Sequence, residues 1–264
     1  TTGSKLFSGD KVKLEDNSYL GLCYVKGRTL EVTTPGEFNV DDLAKNLTAE
    51  NSSVTKRMTS YIINEMIIKN KTKEMKNMAG VVRQNLAYID KDFPNSTIVI
   101  DTLVTFRWFP AKEAKSYAFE IRNPSSKAVF LKETEDTSVT VNVLDLELEP
   151  GKCYYWFVYD PENQSVASDS NCIMVMNKAA YQSITDSVRQ LRSDLSDPRS
   201  PLNQIIIASF YENNNMYLNA LSYYQNAMKY LGTVEEFQKK YILFLMKAGL
   251  FRRAQITLEN WNLY

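Results

Sequence analysis

From Lys11 to Val40 the chain alternates short apolar and polar positions between turns. Val12 and Leu14 come first, then the turn Asp16-Asn17-Ser18, then Leu20, Leu22 and Tyr24 on one face. A Lys26-Gly27 turn, Leu30 and Val32, Thr34-Pro35-Gly36, and Phe38 with Val40 complete the run. A period of two broken by turn residues predicts short antiparallel strands, here one small sheet. Pro then Gly suits a type II turn because Gly accepts a positive φ. Asp41-Asp42 opens a short helical segment through Leu47. Ser52-Ser53 caps a long helix whose Val54, Met58, Tyr61, Ile62 and Met66 recur at spacings of three and four. Its basic run Lys69, Lys71, Lys73 and Lys76 reads as a solvated helix end favoured by the macrodipole. From Gly80 to Pro94 the periodicity fades into a connection, and a boundary falls near Thr97.

Residues 98 to 176 read as strands. Val104, Phe106 and Trp108 alternate, as do Tyr117, Phe119 and Ile121, then Val139, Val141 and Val143. Tyr154, Trp156 and Val158 follow, answered by Ile173 and Val175, with turn chemistry at Asn123-Pro124-Ser125-Ser126, Glu149-Pro150-Gly151-Lys152 and Asp160-Pro161-Glu162-Asn163. About seven short strands in this length are the rhythm of a β-sandwich. A hairpin centred between Glu162 and Asn163 places Cys153 opposite Cys172, and facing residues have Cβ atoms about 4.5 to 5.5 Å apart. A cross-strand disulfide is within reach of that spacing, and it would imply an oxidising compartment. The alternative is two free thiols in a reducing one.

After Asn177 the pattern turns helical. Asp186, Val188, Leu191 and Leu195 mark one amphipathic segment, Ser196-Asp197-Pro198 breaks it, and Pro201 opens the next at its first turn. A repeat then appears. Ala208, Tyr211, Tyr217, Ala220, Tyr224 and Ala227 match Ile242, Leu245, Phe251, Ala254, Leu258 and Trp261 at an offset of 34 residues.

Composition removes several kinds of chemistry. The chain has no histidine, so Ser-His-Asp, Cys-His and HExxH arrangements are absent. Lys+Arg and Asp+Glu each total 31, so no bulk charge draws the chain to nucleic acid. Neither a GxGxxG nor a GxxxxGK[ST] loop occurs. The three cysteines, Cys23, Cys153 and Cys172, lack zinc-ligand spacing, so no metal and no cofactor are expected. The acids at Asp41-Asp42, Glu133-Thr134-Glu135-Asp136 and Glu235-Glu236 read as turn or helix-start residues. The sequons at Asn46, Asn51, Asn70, Asn95 and Asn163 read as chance matches to a short pattern. No run approaches the eighteen or so apolar residues a spanning helix requires, and a signal or lipid-anchor segment upstream of Thr1 stays open.

Three stretches resemble known families. Trp108 ahead of Tyr117-x-Phe119-x-Ile121, with Leu148-Glu149-Pro150-Gly151-Lys152-Cys153-Tyr154-Tyr155-Trp156, is similar to a fibronectin type III domain over the whole strand-rich segment. That resemblance implies Trp108, Tyr154 and Trp156 as packing residues. The 34-residue period with Ala220 and Ala254 as its small positions resembles tetratricopeptide repeats. The resemblance implies a peptide-facing surface at Ile205, Ser209, Glu212 and Asn213 in the first copy, and at Lys239, Leu243, Met246 and Lys247 in the second. Gly232-Thr233 departs from the family, standing where a proline often terminates the repeat. Asp10 to Leu22, followed by Gly27-Arg28-Thr29-Leu30-Glu31-Val32 and Thr34-Pro35-Gly36, resembles the β-rich module of FecR-like envelope proteins. The order of the three parts is similar to cell-envelope proteins of Bacteroides-type bacteria.

The expected architecture is therefore multi-domain α+β. A small β module (1–50) precedes a long helix and linker (51–97), a fibronectin type III-like β-sandwich (98–177) and tetratricopeptide-like α-hairpins (178–264). The expected function is that of a non-enzymatic periplasmic or cell-surface interaction or scaffold protein whose partner is an envelope protein or peptide. The alternative is an accessory carbohydrate-binding protein of the cell surface that stacks sugar rings on Tyr155, Phe157 and Tyr159. Those three lie opposite the sandwich's core face, where polar residues are usual, so a partner or a neighbouring domain is expected to cover them.

Overall fold

A computed structural model of the protein describes residues 4–24, 28–47, 52–67, 88–195 and 197–261. The Lys26-Gly27 turn, the basic run Lys69 to Lys76, Asn51, Asn70, Ser196 and the side chain of Met66 lie outside the described residues. Among the described residues, seven α-helices and four small sheets make the fold mixed α+β. The chain divides into two compact units. One comprises Thr1–Lys71, Gln182–Asn213 and Asn219–Tyr241; the other comprises Thr72–Tyr181, Asn214–Leu218 and Ile242–Tyr264.

In the first unit the expected single sheet is two separate ladders. Strand β1 (Lys11–Leu14) pairs with β4 (Gly36–Asn39), and β2 (Leu20–Cys23) pairs with β3 (Thr29–Val32). A tight turn separates β1 from β2, with Ser18 N donating to Glu15 O and Asn17 in the left-handed region at φ 58°. Gly36, expected within a turn, instead begins β4 opposite Leu14. Helix α1 (Val40–Ala44) runs into a 3-10 turn, Lys45–Leu47. Helix α2 (Ser53–Ile67) starts where Ser52 Oγ accepts from Thr55 N at 3.4 Å. It buries Thr55, Met58, Thr59 and Ile62, a stripe at spacings of three and four. Asp194, at the end of α3 (Lys178–Asp194), accepts from Ser52 N at 2.8 Å and Thr55 Oγ1 at 2.7 Å and so ties two helix ends together. Helix α4 (Pro201–Asn213) begins with proline at its first position, as its missing N–H allows. The Glu31 carboxylate of β3 accepts from Leu202 N at 2.9 Å, and buried Asn203 accepts from Thr29 Oγ1 at 2.6 Å.

In the second unit a five-stranded sheet has the order β5-β11-β10-β7-β8 and a two-stranded sheet pairs β6 with β9. The strands are β5 (Thr97–Val99), β6 (Leu103–Arg107), β7 (Tyr117–Arg122), β8 (Ala128–Thr134), β9 (Ser138–Asn142), β10 (Tyr154–Tyr159) and β11 (Asn171–Val175). All ladders are antiparallel except β5 on β11. The inner faces of the two sheets share one core. Phe106 lies 5.1 Å from Trp156 and 4.9 Å from Phe119, and Trp108 and Tyr154 are buried with them. Ile89 and Phe93 join this core, Phe93 lying 4.6 Å from Phe106. They come from the described end of the stretch read as a connection, residues 88–94, where the pairings of Tyr88 with Ala167 and Lys91 with Trp108 are isolated bridges and so leave no period. The Tyr154 hydroxyl accepts from Glu149 N at 2.9 Å, pinning the chain as it enters β10.

Helices α5 (Tyr217–Leu231), α6 (Glu235–Lys247) and α7 (Phe251–Asn260) complete the chain. The starts of α4 and α6 are 34 residues apart, as are those of α5 and α7. The turn residues Asn215 (φ 57°) and Gly249 (φ 74°) are both left-handed and again 34 apart. Arg253 forks Asp92 at 2.8 and 2.5 Å, and Arg252 meets Asp90 at 3.0 Å while lying 4.3 Å from the Phe109 ring. A Cβ at Gly249 would strike the Asn95 side chain. Gly249→Ala therefore combines left-handed strain with a clash and is expected to destabilise the protein by about 1–3 kcal/mol. The measurement is the urea midpoint, and a wild-type midpoint would refute the assignment.

Candidate functional site

Alternation along β10 turns Tyr154, Trp156 and Val158 inward and Tyr155, Phe157 and Tyr159 outward. The outward three do not form an open row. Across the ladder Tyr155 faces Arg122 and Phe157 faces Glu120, and the Arg122 guanidinium forks the Glu120 carboxylate at 2.7 and 3.2 Å. That guanidinium sits 4.8 Å from the Phe157 ring, which stacks on Tyr159 at 5.9 Å. The result is a closed layer of Arg122, Phe157 and Tyr159 with Glu120 buried in it. Tyr155, 43% exposed, and Leu131 on the edge strand β8, 57% exposed, are the apolar groups this face presents most openly. Period-two reading places the ring row on the outer face, but it is blind to the cation that lies down over Phe157.

Cys153 and Cys172 are joined, with Cα atoms 5.4 Å apart. The register differs from the expected one, because Tyr155, not Cys153, stands opposite Cys172. Side chains shape the loop between the strands: Glu162 N donates to Asp160 Oδ1 at 2.9 Å and Asp160 N to Val166 O at 2.9 Å, and Tyr159 bridges to Ala167. A simple turn about Glu162-Asn163 would have set Tyr159 against Val166. The bond is thus a diagonal one between neighbouring strands. Cys23 is free and half-buried, and burial, then the Glu31 carboxylate, push its thiol up to about 12. It is protonated at neutral pH and poorly suited to attack.

The eight residues of the expected peptide-facing surface divide by exposure. Ile205, Ser209, Glu212 and Met246 are buried, Lys239 and Leu243 are half-buried, and Asn213 and Lys247 are exposed. Glu212 belongs to an interior network. Lys240 Nζ donates to its carboxylate at 2.9 Å, Tyr224 Oη donates to it at 2.6 Å, and the Tyr224 and Ser209 hydroxyls lie 3.0 Å apart. Burial and the Glu212 charge raise the Tyr224 hydroxyl well above its ordinary value, so it stays a donor. Lys240 also lies 5.3 Å from the Tyr61 ring. The sequence reading missed Lys240, which beside Lys239 gave no sign of an inward face.

It missed Lys91 as well. This half-buried amine donates to Asp169 O at 2.7 Å and sits 5.6 Å from the Trp156 ring, while Tyr88 donates to the Asp169 carboxylate at 3.2 Å. Burial pushes Lys91 down to about 8, partly opposed by Asp169. Of the acids expected at turns and helix starts, Glu133 instead lies in strand β8, paired with Ala118, while the other groups sit at such positions. Asp41 accepts from Ser8 Oγ and Gly9 N, which holds its carboxyl below the usual range, and Glu235 and Glu236 occupy the first turn of α6. Asn95 packs against Gly249 and Asn171, so this sequon is closed to a glycan. Among the described residues no three His, Cys, Asp or Glu side chains converge as a metal ion requires, and no helix is long and apolar enough to cross a membrane.

No family model matches the chain, and no curated protein matches its sequence. Among solved structures, a β-1,2-glucanase from Parabacteroides distasonis aligns with 66% of this chain and 34% of its own length, at 11% identity and a TM-score of 0.26. The chain thus spans about a third of that enzyme, and an overlap of this size carries no argument about fold or activity.

Two predictions follow from the buried charges. Lys240→Met removes the cation that faces Glu212 and is expected to cost about 3–5 kcal/mol of stability, with Lys240→Met/Glu212→Leu costing markedly less. Denaturant melts of both variants decide it, and an equal loss in the two would refute the pairing. Lys91 favours its neutral form in the folded chain, so the unfolded chain binds more protons between about pH 8 and 10.4 and its contribution to stability grows as pH rises through that window. Lys91→Met should lack that rise. Parallel curves for the two proteins from pH 7.5 to 10.5 would contradict it.

Proposed function

We propose that this chain is a non-enzymatic interaction or scaffold protein of the cell envelope. The observation that carries this reading is the 34-residue recurrence. The helix starts, the left-handed turn residues Asn215 and Gly249, and the buried small residues Ala220 and Ala254 all repeat at that interval. Recurrence of this kind supports a tetratricopeptide-like tail (178–264), and such tails work by presenting helix surfaces to peptides.

The pairing of β6 with β9, the order β5-β11-β10-β7-β8 and the Tyr154 hydroxyl on Glu149 N support a fibronectin type III-like sandwich over 98–177. A small FecR-like module (1–50) and a linking helix (51–97) precede it in this scheme. The Cys153–Cys172 bond supports an oxidising location such as the periplasm or cell surface. Ile205, Ser209, Glu212 and Met246 are buried, whereas Asn213 and Lys239 in one unit, and Leu243 and Lys247 in the other, are exposed or half-buried.

Exposed Tyr155 favours a second reading, an accessory carbohydrate-binding protein. The Arg122 lid on Phe157 weighs against it, because a sugar ring needs that face open. Capture from envelope extract by the full chain, with a glycan array in parallel, tests both readings. The interaction reading expects one specific protein, lost in Asn213→Ala/Lys239→Glu/Lys247→Glu, and a silent array. Array binding lost in Tyr155→Ala with no protein captured would replace it with the second reading, and neither signal would overturn both.

A further inference from the structure

Strand β11 stands between two very different attachments. Toward β10 it is held by the ladder Tyr154 to Ile173, Tyr155 to Cys172 and Trp156 to Asn171, by the Cys153–Cys172 bond, and by Gly151 N donating to Val175 O at 2.9 Å. Residues 151 to 153 therefore clasp β11 near both its ends. Toward β5 the ladder is as long, with Thr97, Ile98 and Val99 paired to it in parallel and Asn171 Nδ2 donating to Asn95 Oδ1, but the covalent cross-link lies on the β10 side.

The far edge of β5 carries two helix turns. Ile98 N donates to Asn215 O at 2.9 Å, Tyr217 N donates to Thr97 Oγ1 at 3.0 Å, and Asn95 N donates to Ala248 O at 2.8 Å. Asn215 and Gly249, beside these contacts, are the same position of successive hairpins. Asn95 and Ser96 form a turn, with Ser96 left-handed at φ 48°, and the strand proper begins at Thr97. One short strand and the turn before it thus meet two repeat turns, and the strand's hold on the sheet passes through β11.

The geometry points to a redox-sensitive latch: reduction of Cys153–Cys172 loosens β11 and lets β5 release the turns at Asn215 and Ala248. The reductant is a dithiol. One of its thiolates attacks a cysteine sulfur, the Cys153–Cys172 bond breaks, and the departing cysteine thiolate takes up a proton. The second thiol then resolves the mixed disulfide, leaving two cysteine thiols and an oxidised donor, a transfer of two electrons and two protons. Both cysteines are half-buried rather than sealed in the core, which gives the donor access. Cys23 is not part of the latch.

Hydrogen exchange of the full chain with and without dithiothreitol tests this. In the reduced protein, protection of the amides at Asn95, Ile98 and Tyr217 is expected to fall by about tenfold or more, while that of Val104 and Val141, in the β6–β9 ladder, changes by less than about twofold. Cys153→Ala/Cys172→Ala should show the reduced pattern and no further response to dithiothreitol. Unchanged protection at the three amides in the reduced wild type would overturn the latch. So would an equal loss in β6–β9, which would make the bond a general stabiliser.

Discussion

The second unit depends on one packing constraint, the burial of Trp156 between two sheets. Phe93, Phe106 and Phe119 all lie within 6 Å of it, and each comes from a different segment of chain. Large aromatic side chains buried together supply more apolar area per residue than any other choice. Two five-residue strands, β6 and β9, can therefore hold one side of a core. The constraint also fixes what lies outside. Once Tyr154, Trp156 and Val158 point inward, the pleat sends Tyr155, Phe157 and Tyr159 outward, and Arg122 with Glu120 becomes the means of covering apolar surface left there.

The first unit solves its interior differently. Glu212 and Lys240 are 2% and 5% exposed at the side chain, and their charges are tolerable only because Tyr224 and Ser209 extend the hydrogen bonding around them. A buried ion pair contributes little net stability compared with an apolar pair of similar size, but its geometry penalises misaligned helices strongly. Many of the buried residues on these helices are apolar, Ile205, Ile206, Ile207 and Phe210 on α4 and Ala220 and Ala227 on α5. Such faces slide past one another at small cost. A single charged network among them gives α4, α5 and the start of α6 a preferred register.

Legibility in the sequence followed local periodicity. The strands of 98–176 and the helix spacing near the C-terminus obey periods of 2 and 34, and the structure places elements at those positions. What escaped was set by contacts distant in sequence. Ile89 and Phe93 have no periodic neighbours, yet both are buried in the sandwich core, Phe93 against Phe106 and Trp156. Lys240 looks like half of a surface Lys-Lys pair until Glu212, 28 residues earlier, appears beside it. Cys153 and Cys172 were legible as a pair by counting from the turn, but side-chain bonds from Asp160 reshape the loop and put Tyr155 where Cys153 was expected. The peptide-facing residues carried over by resemblance show the same limit. A repeat's offset fixes which positions correspond, while burial at each depends on what packs there.

The repeat turns show how a regular pattern and an irregular one meet. Asn215 and Gly249 need the left-handed region to end one helix and start the next, and each leaves a backbone carbonyl beside it in want of a donor. An edge strand has the opposite surplus, since alternate N–H groups along its free side are unpaired. Asn95 and Ile98 supply the donors for Ala248 and Asn215, so two sets of unsatisfied groups are resolved together and an exposed sheet edge is closed. Gly249 is glycine for two reasons at once: its φ, and the Asn95 side chain that fills the place a Cβ would take. Asn215 tolerates the same φ with its own side chain bonded to the Tyr217 hydroxyl at 2.9 Å. Equivalent positions in a repeat thus keep one backbone conformation while their side chains answer to different neighbours. That is why the 34-residue period is plain in the helices and blurred in the side chains of the turns.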